Sequence, residues 1–191
     1  MKNMELKYNS NDVNLFFTSD THFWHSNIIK YCNRPFMDIE EMNEEIIKRW
    51  NDKIEKDDLV FHLGDFAFCG PSQYKTLLER LNGKIILILG NHDWRNIKEG
   101  YMSKFNGIYQ QLRIKVDDQR IYLNHFPFLC YEGSWRGVWQ LFGHVHSGPY
   151  NNGGGLDGPR LKMLLPGQYD VGVDNNNFTP ISYKELCTKV K

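Results

Sequence analysis

Leu59-Val60-Phe61-His62-Leu63-Gly64-Asp65 and, one strand further on, Ile85-Ile86-Leu87-Ile88-Leu89-Gly90-Asn91-His92-Asp93 decide the fold. Each is an apolar run of strand length that ends on a glycine and then on a side chain able to bind metal. Strands apolar on both faces belong to a sheet covered on both sides, which is the habit of parallel sheets. Two such strands ending alike put their terminal side chains on one carboxyl edge, where open α/β folds collect ligands. Asp20-Thr21-His22, His125, His144 and His146 supply more side chains of the same kind, and a sheet would bring them to that edge.

Working outward, residues 13–19 form a first β-rich run that leads into a loop, 20–36, carrying His22, His25 and Arg34. Asp38 is an N-cap with Glu41 three residues on, and Ile39, Met42, Ile46 and Trp50 recur at helical spacing. Pro71 opens a second helix running to about Leu81, with Asn82-Gly83 as its stop. Strand, helix, strand, helix, strand in this order is a right-handed parallel βαβαβ unit. After it the pattern changes. Residues 112–116 and 120–124 flank Asp117-Asp118 as a hairpin, so the second half adds antiparallel or mixed strands. Residues 138–142 form another strand, ending on Gly143-His144-Val145-His146, and 169–173 form a last one. Residues 151–159 are a Gly- and Asn-rich connection near the site, and Ser182 with Glu185 makes a capping box for a short terminal helix.

A chain of 191 residues fits one domain, 1–191, with a sizeable core. Its 23 basic and 23 acidic side chains cancel, which argues against a nucleic-acid coat, stable nucleic-acid binding or a membrane-surface role. Cys32, Cys69, Cys130 and Cys187 are widely spaced with no CxxC pair, and read as free thiols of a reducing compartment. The polar residues 1–11 hold no apolar signal core and the other apolar runs are too short to span a membrane, so the expectation is a cytosolic protein.

Asp20, His22, Asp65, Asn91, His125, His144 and His146 are oxygen or imidazole donors with no thiolate among them, a set that suits manganese, iron or zinc. Seven exceed the needs of one ion and suit two ions sharing a bridging carboxylate. Asp65, from a central strand, is the natural bridge, with one oxygen for each ion. His144 and His146, two apart, would point to the same side in extended backbone and each reach a different ion. Asn91 and His92, being adjacent, point apart, so one binds metal while the other faces substrate.

These blocks, with Asp20-Thr21-His22-Phe23-Trp24-His25 and Asn33-Arg34-Pro35-Phe36, together resemble the signature of the calcineurin-like metallophosphoesterase superfamily, and in particular a branch of small bacterial and phage phosphoesterases. The resemblance implies a four-layer α-β-β-α sandwich of two mixed sheets flanked by helices. It implies that Asp20, His22 and His146 hold one ion, that Asn91, His125 and His144 hold the second, and that Asp65 bridges. By the same resemblance the ions are manganese first, with iron, zinc, nickel or magnesium as alternatives. The activity this implies is attack of metal-bound hydroxide on the phosphorus of a small phosphomonoester or phosphodiester, nucleotides among them. His92 is then the general acid and Asp93 positions its ring. The rival readings are a protein-binding scaffold on the same fold, which would depart from the histidine present here as His92, and a nuclease. So short a chain has few insertions with which to wall a deep specificity pocket, and an open cleft is expected.

Weaker candidates surround this set. His25 reaches substrate phosphate or a neighbouring carboxylate, or is simply exposed; Arg34 grips phosphate or makes a salt bridge. Arg95, Arg136 and Arg160 are lesser versions of Arg34. His62 is expected to be a satisfied core histidine, and Cys69 to be packing. Trp24, Phe126, Phe128, Tyr131, Trp135 and Trp139 are core or loop anchors that could stack on a base.

Overall fold

The computed structural model describes residues 5–94, 105–151 and 155–190, so Arg95 lies outside the described residues. The strands are β1 (Glu5–Tyr8), β2 (Leu15–Thr18), β3 (Leu59–His62), β4 (Lys84–Ile88), β5 (Gly107–Tyr109), β6 (Gln111–Val116), β7 (Gln119–Asn124), β8 (Trp139–Phe142), β9 (Gln168–Asp170) and β10 (Ile181–Ser182). The helices are α1 (Ser26–Tyr31), α2 (Ile39–Asn51), α3 (Pro71–Arg80), α4 (Gly158–Leu161) and α5 (Tyr183–Lys189). The strands form two five-stranded mixed sheets, ordered β10-β2-β3-β4-β5 and β1-β6-β7-β8-β9.

In the first sheet β2, β3, β4 and β5 run parallel, with Phe17 beside Phe61 and Phe61 beside Ile86, and β10 closes one edge antiparallel. Alternation then sorts the side chains. Leu15, Phe17, Leu59, Phe61, Ile86 and Ile88 face Leu112, Ile114, Ile121, Leu123 and Leu141 of the second sheet, which makes the core between sheets. Phe16, Val60, Ile85 and Leu87 point the other way, onto Ile28 of α1, Met42, Ile46 and Trp50 of α2, and Tyr74 and Leu77 of α3. Both faces of this sheet are therefore apolar, and each fully buried side chain contributes on the order of 1.5–3 kcal/mol.

The caps are as the sequence has them. Asp38 accepts from Glu41 N–H at 2.8 Å, and Ser182 and Glu185 cap each other reciprocally. The Asp117-Asp118 turn joins β6 to β7 as an antiparallel hairpin, while β7, β8 and β9 are mutually parallel. Five of these elements go beyond the pattern: β1 pairs parallel with β6, β5 adds a strand beyond β4, α1 occupies part of the expected 20–36 loop, α4 begins within the 151–159 connection, and β10 closes an edge of the first sheet. The strand at Gln168–Asp170 is followed by β10, so it is not the last. No described helix is long and apolar enough to cross a membrane.

Candidate metal centre

Parallel strands end together. Beyond Thr18, His62 and Ile88 the chain enters Asp20, Asp65 and Asn91; beyond Asn124 and Phe142 it enters His125 and His144. Backbone bonds lock these exits side by side: Asp20 N–H to Gly64 O at 2.9 Å, His22 N–H to Asp65 O at 3.0 Å, Gly143 N–H to His125 O at 2.9 Å and Val173 N–H to Ser19 O at 3.0 Å. The last of these ties the rims of the two sheets together. A Cβ on Gly64 would stand 2.5 Å from Gly90 N and 2.7 Å from His125 Nδ1, so only glycine lets the β3 and β4 exits meet.

The donors fall into two groups, Asp20 with His22 and His146, and Asp65 with His125 and His144, each with ligand atoms within 4.8 Å of one another. Asp65 joins them, because its Oδ2 lies 3.5 Å from His22 Nε2 and 3.6 Å from His125 Nε2. Asp65 Oδ1 is taken by His92 N–H at 3.0 Å. A single oxygen therefore faces both groups, where the sequence argument gave one oxygen to each.

Asp20 Oδ1 and His22 Nε2 are buried, lack any hydrogen-bond partner among the described residues and stand 3.9 Å apart. His146 Nε2 is also 3.9 Å from Asp20 Oδ1. These gaps are too long for hydrogen bonds. They match the ~3–4 Å between neighbouring donors that share an ion at about 2.0–2.2 Å. His125 Nδ1 donates to Leu63 O at 2.7 Å, so its Nε2 carries the lone pair, and that nitrogen faces Asn91 Oδ1 at 3.0 Å. Two acceptors turned on each other are satisfied by a cation. The residues fit a pair of divalent ions on these grounds.

The electrostatics of His22, His144 and Asp65 agree, while His146 stands apart. Burial, then the neighbouring His146, push His22 well below its ordinary range, so its ring is neutral and fit to ligate. His144 is lowered by burial and by His125. Burial raises Asp65 to about 6, a cost that a bound cation would reverse. Burial opposes charge on His146 too, but Asp20 and the hydrogen bond to Asp174 raise it well above the usual value.

Asp20, His22, Asp65, His144 and His146 all have left-handed backbone, with φ of 57°, 50°, 56°, 72° and 46°. This corrects the extended reading of His144-x-His146. The two rings leave in different directions, His144 toward His125 at 5.1 Å between ring centroids and His146 toward Asp20 and Asp174.

Two further expectations change. Asp93 does not position the His92 ring: its buried carboxylate accepts Asp65 N–H at 2.8 Å, Gly90 N–H at 2.8 Å and Phe66 N–H at 3.0 Å, so it clasps the β3 and β4 exits together. Arg34 does not reach out to phosphate. Its buried guanidinium gives Nε and Nη2 to Asp174 at 2.8 Å each, Nη2 to Asp20 O at 2.7 Å, and Nη1 to Thr21 O at 3.2 Å and the Met42 sulfur at 3.5 Å. Every donor is used. Asp174 in turn accepts His146 Nδ1 at 2.8 Å, and although burial pushes it up, Arg34 and His146 hold it at about 2.

Asp174 escaped the sequence reading, although Tyr169-Asp170-Val171-Gly172-Val173-Asp174 is again a short apolar-alternating run ending on a carboxylate. Cys32 stands within 4.8 Å of His146 and Asp174, but those two are already bonded to each other. His92 sits at the mouth with its side chain 45% exposed and Nε2 3.9 Å from Asp65 Oδ2. His25 stacks on Phe68 at 4.1 Å and sets its Nδ1 3.1 Å from His22 Nδ1.

Of the remaining residues, His62 is buried and held at about 3 by burial, with Nε2 on Thr21 Oγ1 at 3.0 Å and Nδ1 without a partner among the described residues, so it is a core histidine satisfied there on one side only. Burial pushes the Cys69 thiol up to about 11, which suits packing and not nucleophilic attack. Arg136 lies over the exposed Trp135 ring beside the outer face of the second sheet, and Arg160 pairs with Asp157 at 3.6 Å.

Two mixed sheets flanked by helices, with a rim of carboxylates and imidazoles grouped for metal, define an α/β metallohydrolase architecture. The chain belongs to the calcineurin-like phosphoesterase family, whose model matches residues 13–165, and membership implies metal-dependent hydrolysis of phosphoesters. It is 36% identical to an uncharacterised protein of Methanocaldococcus jannaschii over 88% of this chain and 86% of that one. It is 28% identical to the gene 66 protein of mycobacterium phage L5 over 70% and 78% of the two chains. A glycerophosphodiester phosphodiesterase of Enterobacter lignolyticus is 35% identical over 52% of this chain and 38% of its own length. The crystal structure of a protein of unknown function from Aquifex aeolicus superposes with a TM-score of 0.71 at 24% identity, covering 93% of this chain and all of that one, which is a likeness of fold.

Proposed function

We propose that the chain is a dinuclear phosphoesterase acting on small phosphomonoesters or phosphodiesters. The observation that carries this is Asp65 Oδ2, one oxygen facing both donor groups while orphaned acceptors surround it. Asp20, His22 and His146 would hold one divalent ion, Asn91, His125 and His144 the other, with Asp65 between; manganese heads the candidates for this all-oxygen and nitrogen set. When bound, the ions supply positive charge against the phosphoryl oxygens and acidify water.

The chain's own residues do the rest. His92, half exposed at the mouth, donates a proton to the departing ester oxygen, a role worth roughly 10²–10⁴-fold in rate. His25, hydrogen-bonded to His22 Nδ1, fixes the tautomer that turns the His22 Nε2 lone pair inward. Asp93 and the Arg34–Asp174 pair hold Asp65 and His146 in place. On the outer face of the second sheet Arg113 pairs with Glu5 and Glu132, and Lys115 with Asp118, which supports a small ester over a nucleic-acid strand. Free thiols at Cys32, Cys69, Cys130 and Cys187 support a cytosolic setting.

The test is purified protein with manganese against aryl monoesters, aryl diesters and cyclic nucleotides. Turnover is expected, with His92→Ala keeping its manganese but losing rate, and Asp65→Ala losing manganese. Background rates across the panel with manganese bound would overturn hydrolysis in favour of a protein-binding scaffold.

A further inference from the structure

Beside the second donor group lies a cleft of about 610 Å³ that the proposed reaction does not use. Its walls are Phe126, Phe128, Leu129, Met163 and Leu164, and His144 forms part of its lining. The Phe126 ring packs on His144 at 4.6 Å and on His125 at 4.9 Å, so one aromatic side chain touches two candidate ligands and lines the cleft as well. Phe126, Leu129 and Met163 are 44%, 76% and 64% exposed, a group of neighbouring apolar side chains left open to water. The cleft is of the size that small-molecule arms fill, and its few polar groups, Asp157 and Arg160, are paired with each other. Residues after 155 thus build a wall that the shortness of the chain did not lead us to expect.

We infer that this cleft seats an ester arm of the substrate, and that the arm is an apolar ring. The inference rests on the phosphoesterase reading. Continuity decides the occupant: a phosphoryl group bound by an ion that Asp65 and His144 would hold has its substituent at the mouth of a cleft whose lining begins with His144 itself. A sugar or glycerol arm would find only Asp157 and Arg160 as side-chain hydrogen-bonding partners beside His144, whereas a ring gains from each apolar face it buries.

The experiment is calorimetric titration of the manganese-loaded protein with 1-naphthylphosphonate and methylphosphonate, whose carbon–phosphorus bonds resist hydrolysis. The ring compound is expected to bind on the order of tenfold tighter, what burying about 60 Å² of apolar surface is worth. Met163→Glu, with Leu129→Glu as a second variant, should bring the ratio to about one while leaving methylphosphonate binding unchanged. Equal affinities in the unaltered protein, or a preference that survives both variants, would overturn the inference. So would a dimer in sedimentation that either variant dissociates, since a second copy would then be the occupant. A ring preference retained by a protein that hydrolyses no ester would leave the cleft standing and remove the hydrolase reading. Hydrolysis of aryl and methyl esters at equal kcat/KM, without a ring preference, would do the reverse.

Discussion

Replacing Asp93 separates two accounts of that residue, and the structure sets the magnitude. The carboxylate is 1% exposed and accepts three backbone N–H groups, those of Asp65, Phe66 and Gly90. In Asp93→Ala those three donors lose their acceptor in a place water hardly reaches. At roughly 1–3 kcal/mol for each buried donor the nominal loss is large, but relaxation caps it, and about 4–5 kcal/mol is expected. In Asp93→Asn the amide oxygen can still serve Asp65 and Gly90, while the NH₂ meets Phe66 N–H donor to donor. One bond is lost and one repulsion gained, about 2–3 kcal/mol. Asp93→Ala frees Asp65 from the β4 exit, so its manganese affinity should fall about 10–100-fold, as when a ligand loses its support, whereas Asp93→Asn keeps the Asp65 and Gly90 bonds and should lose less. Urea unfolding at constant slope measures the first quantity and calorimetric manganese titration the second. If Asp93 instead oriented the His92 ring, Asp93→Asn would keep its unfolding midpoint and its manganese and lose only turnover. That result would refute the clasp.

Arg34→Met leaves the Asp174 carboxylate buried without its cation, and an unfolding loss of about 3–5 kcal/mol is expected, partly restored when Asp174→Asn is added; a single variant within about 1 kcal/mol of the unaltered protein would remove the brace. Gly90→Ala puts a Cβ 2.6 Å from Asp65 N and against Asp65 Oδ1, so elemental analysis should find manganese content reduced alongside a stability loss of about 1–3 kcal/mol, and full occupancy would show that Asp65 need not stand where it does. Glu185 is raised by partial burial yet held at about 2 by Lys53 and by the N-cap residue Ser182. A folded value below the ordinary 4.5 gives stability present above that value and lost as pH falls toward 2. Glu185→Gln should therefore be less stable than the unaltered protein at pH 6, by no more than about 1 kcal/mol for a carboxylate this exposed. The difference should close by about pH 2, and a gap that persists in acid would show that the ion pair is not its source.

What the sequence made legible was period and position. Leu59–His62 and Lys84–Ile88 are apolar on both faces because helices cover one side and the second sheet the other, and that double burial writes itself as an unbroken run. The hairpin at Asp117-Asp118 and the caps at Asp38 and Ser182 depend on a few adjacent residues, so they too could be read locally. By contrast, Glu5–Tyr8 becomes a strand only because Gln111–Val116 lies beside it, more than a hundred positions away, and nothing in four half-buried residues announces that partner. Helix α1 has six residues and an N-cap, His25, whose side chain makes no cap bond, which leaves no start signal to find.

The site was legible as a list of donors but not as a shape, and backbone handedness is the reason. Strand logic says which residue follows an edge; it does not say that the residue will turn left-handed, since glycine is the usual signal and the chain uses Asp20, His22, Asp65, His144 and His146 instead. Each such turn costs on the order of 1 kcal/mol or more and persists only where its surroundings over-determine it. Those surroundings are the groups whose roles were misread or missed. Asp93 fixes the Asp65 turn through its N–H, Arg34 grips the Asp20 and Thr21 carbonyls on either side of theirs, and Asp174 fixes the ring of His146. An arginine near a loop of candidate ligands and an aspartate beside a candidate general acid invite a role toward substrate. Here strained backbone claims them first, because a donor that cannot be held in its turn cannot be offered to an ion at all.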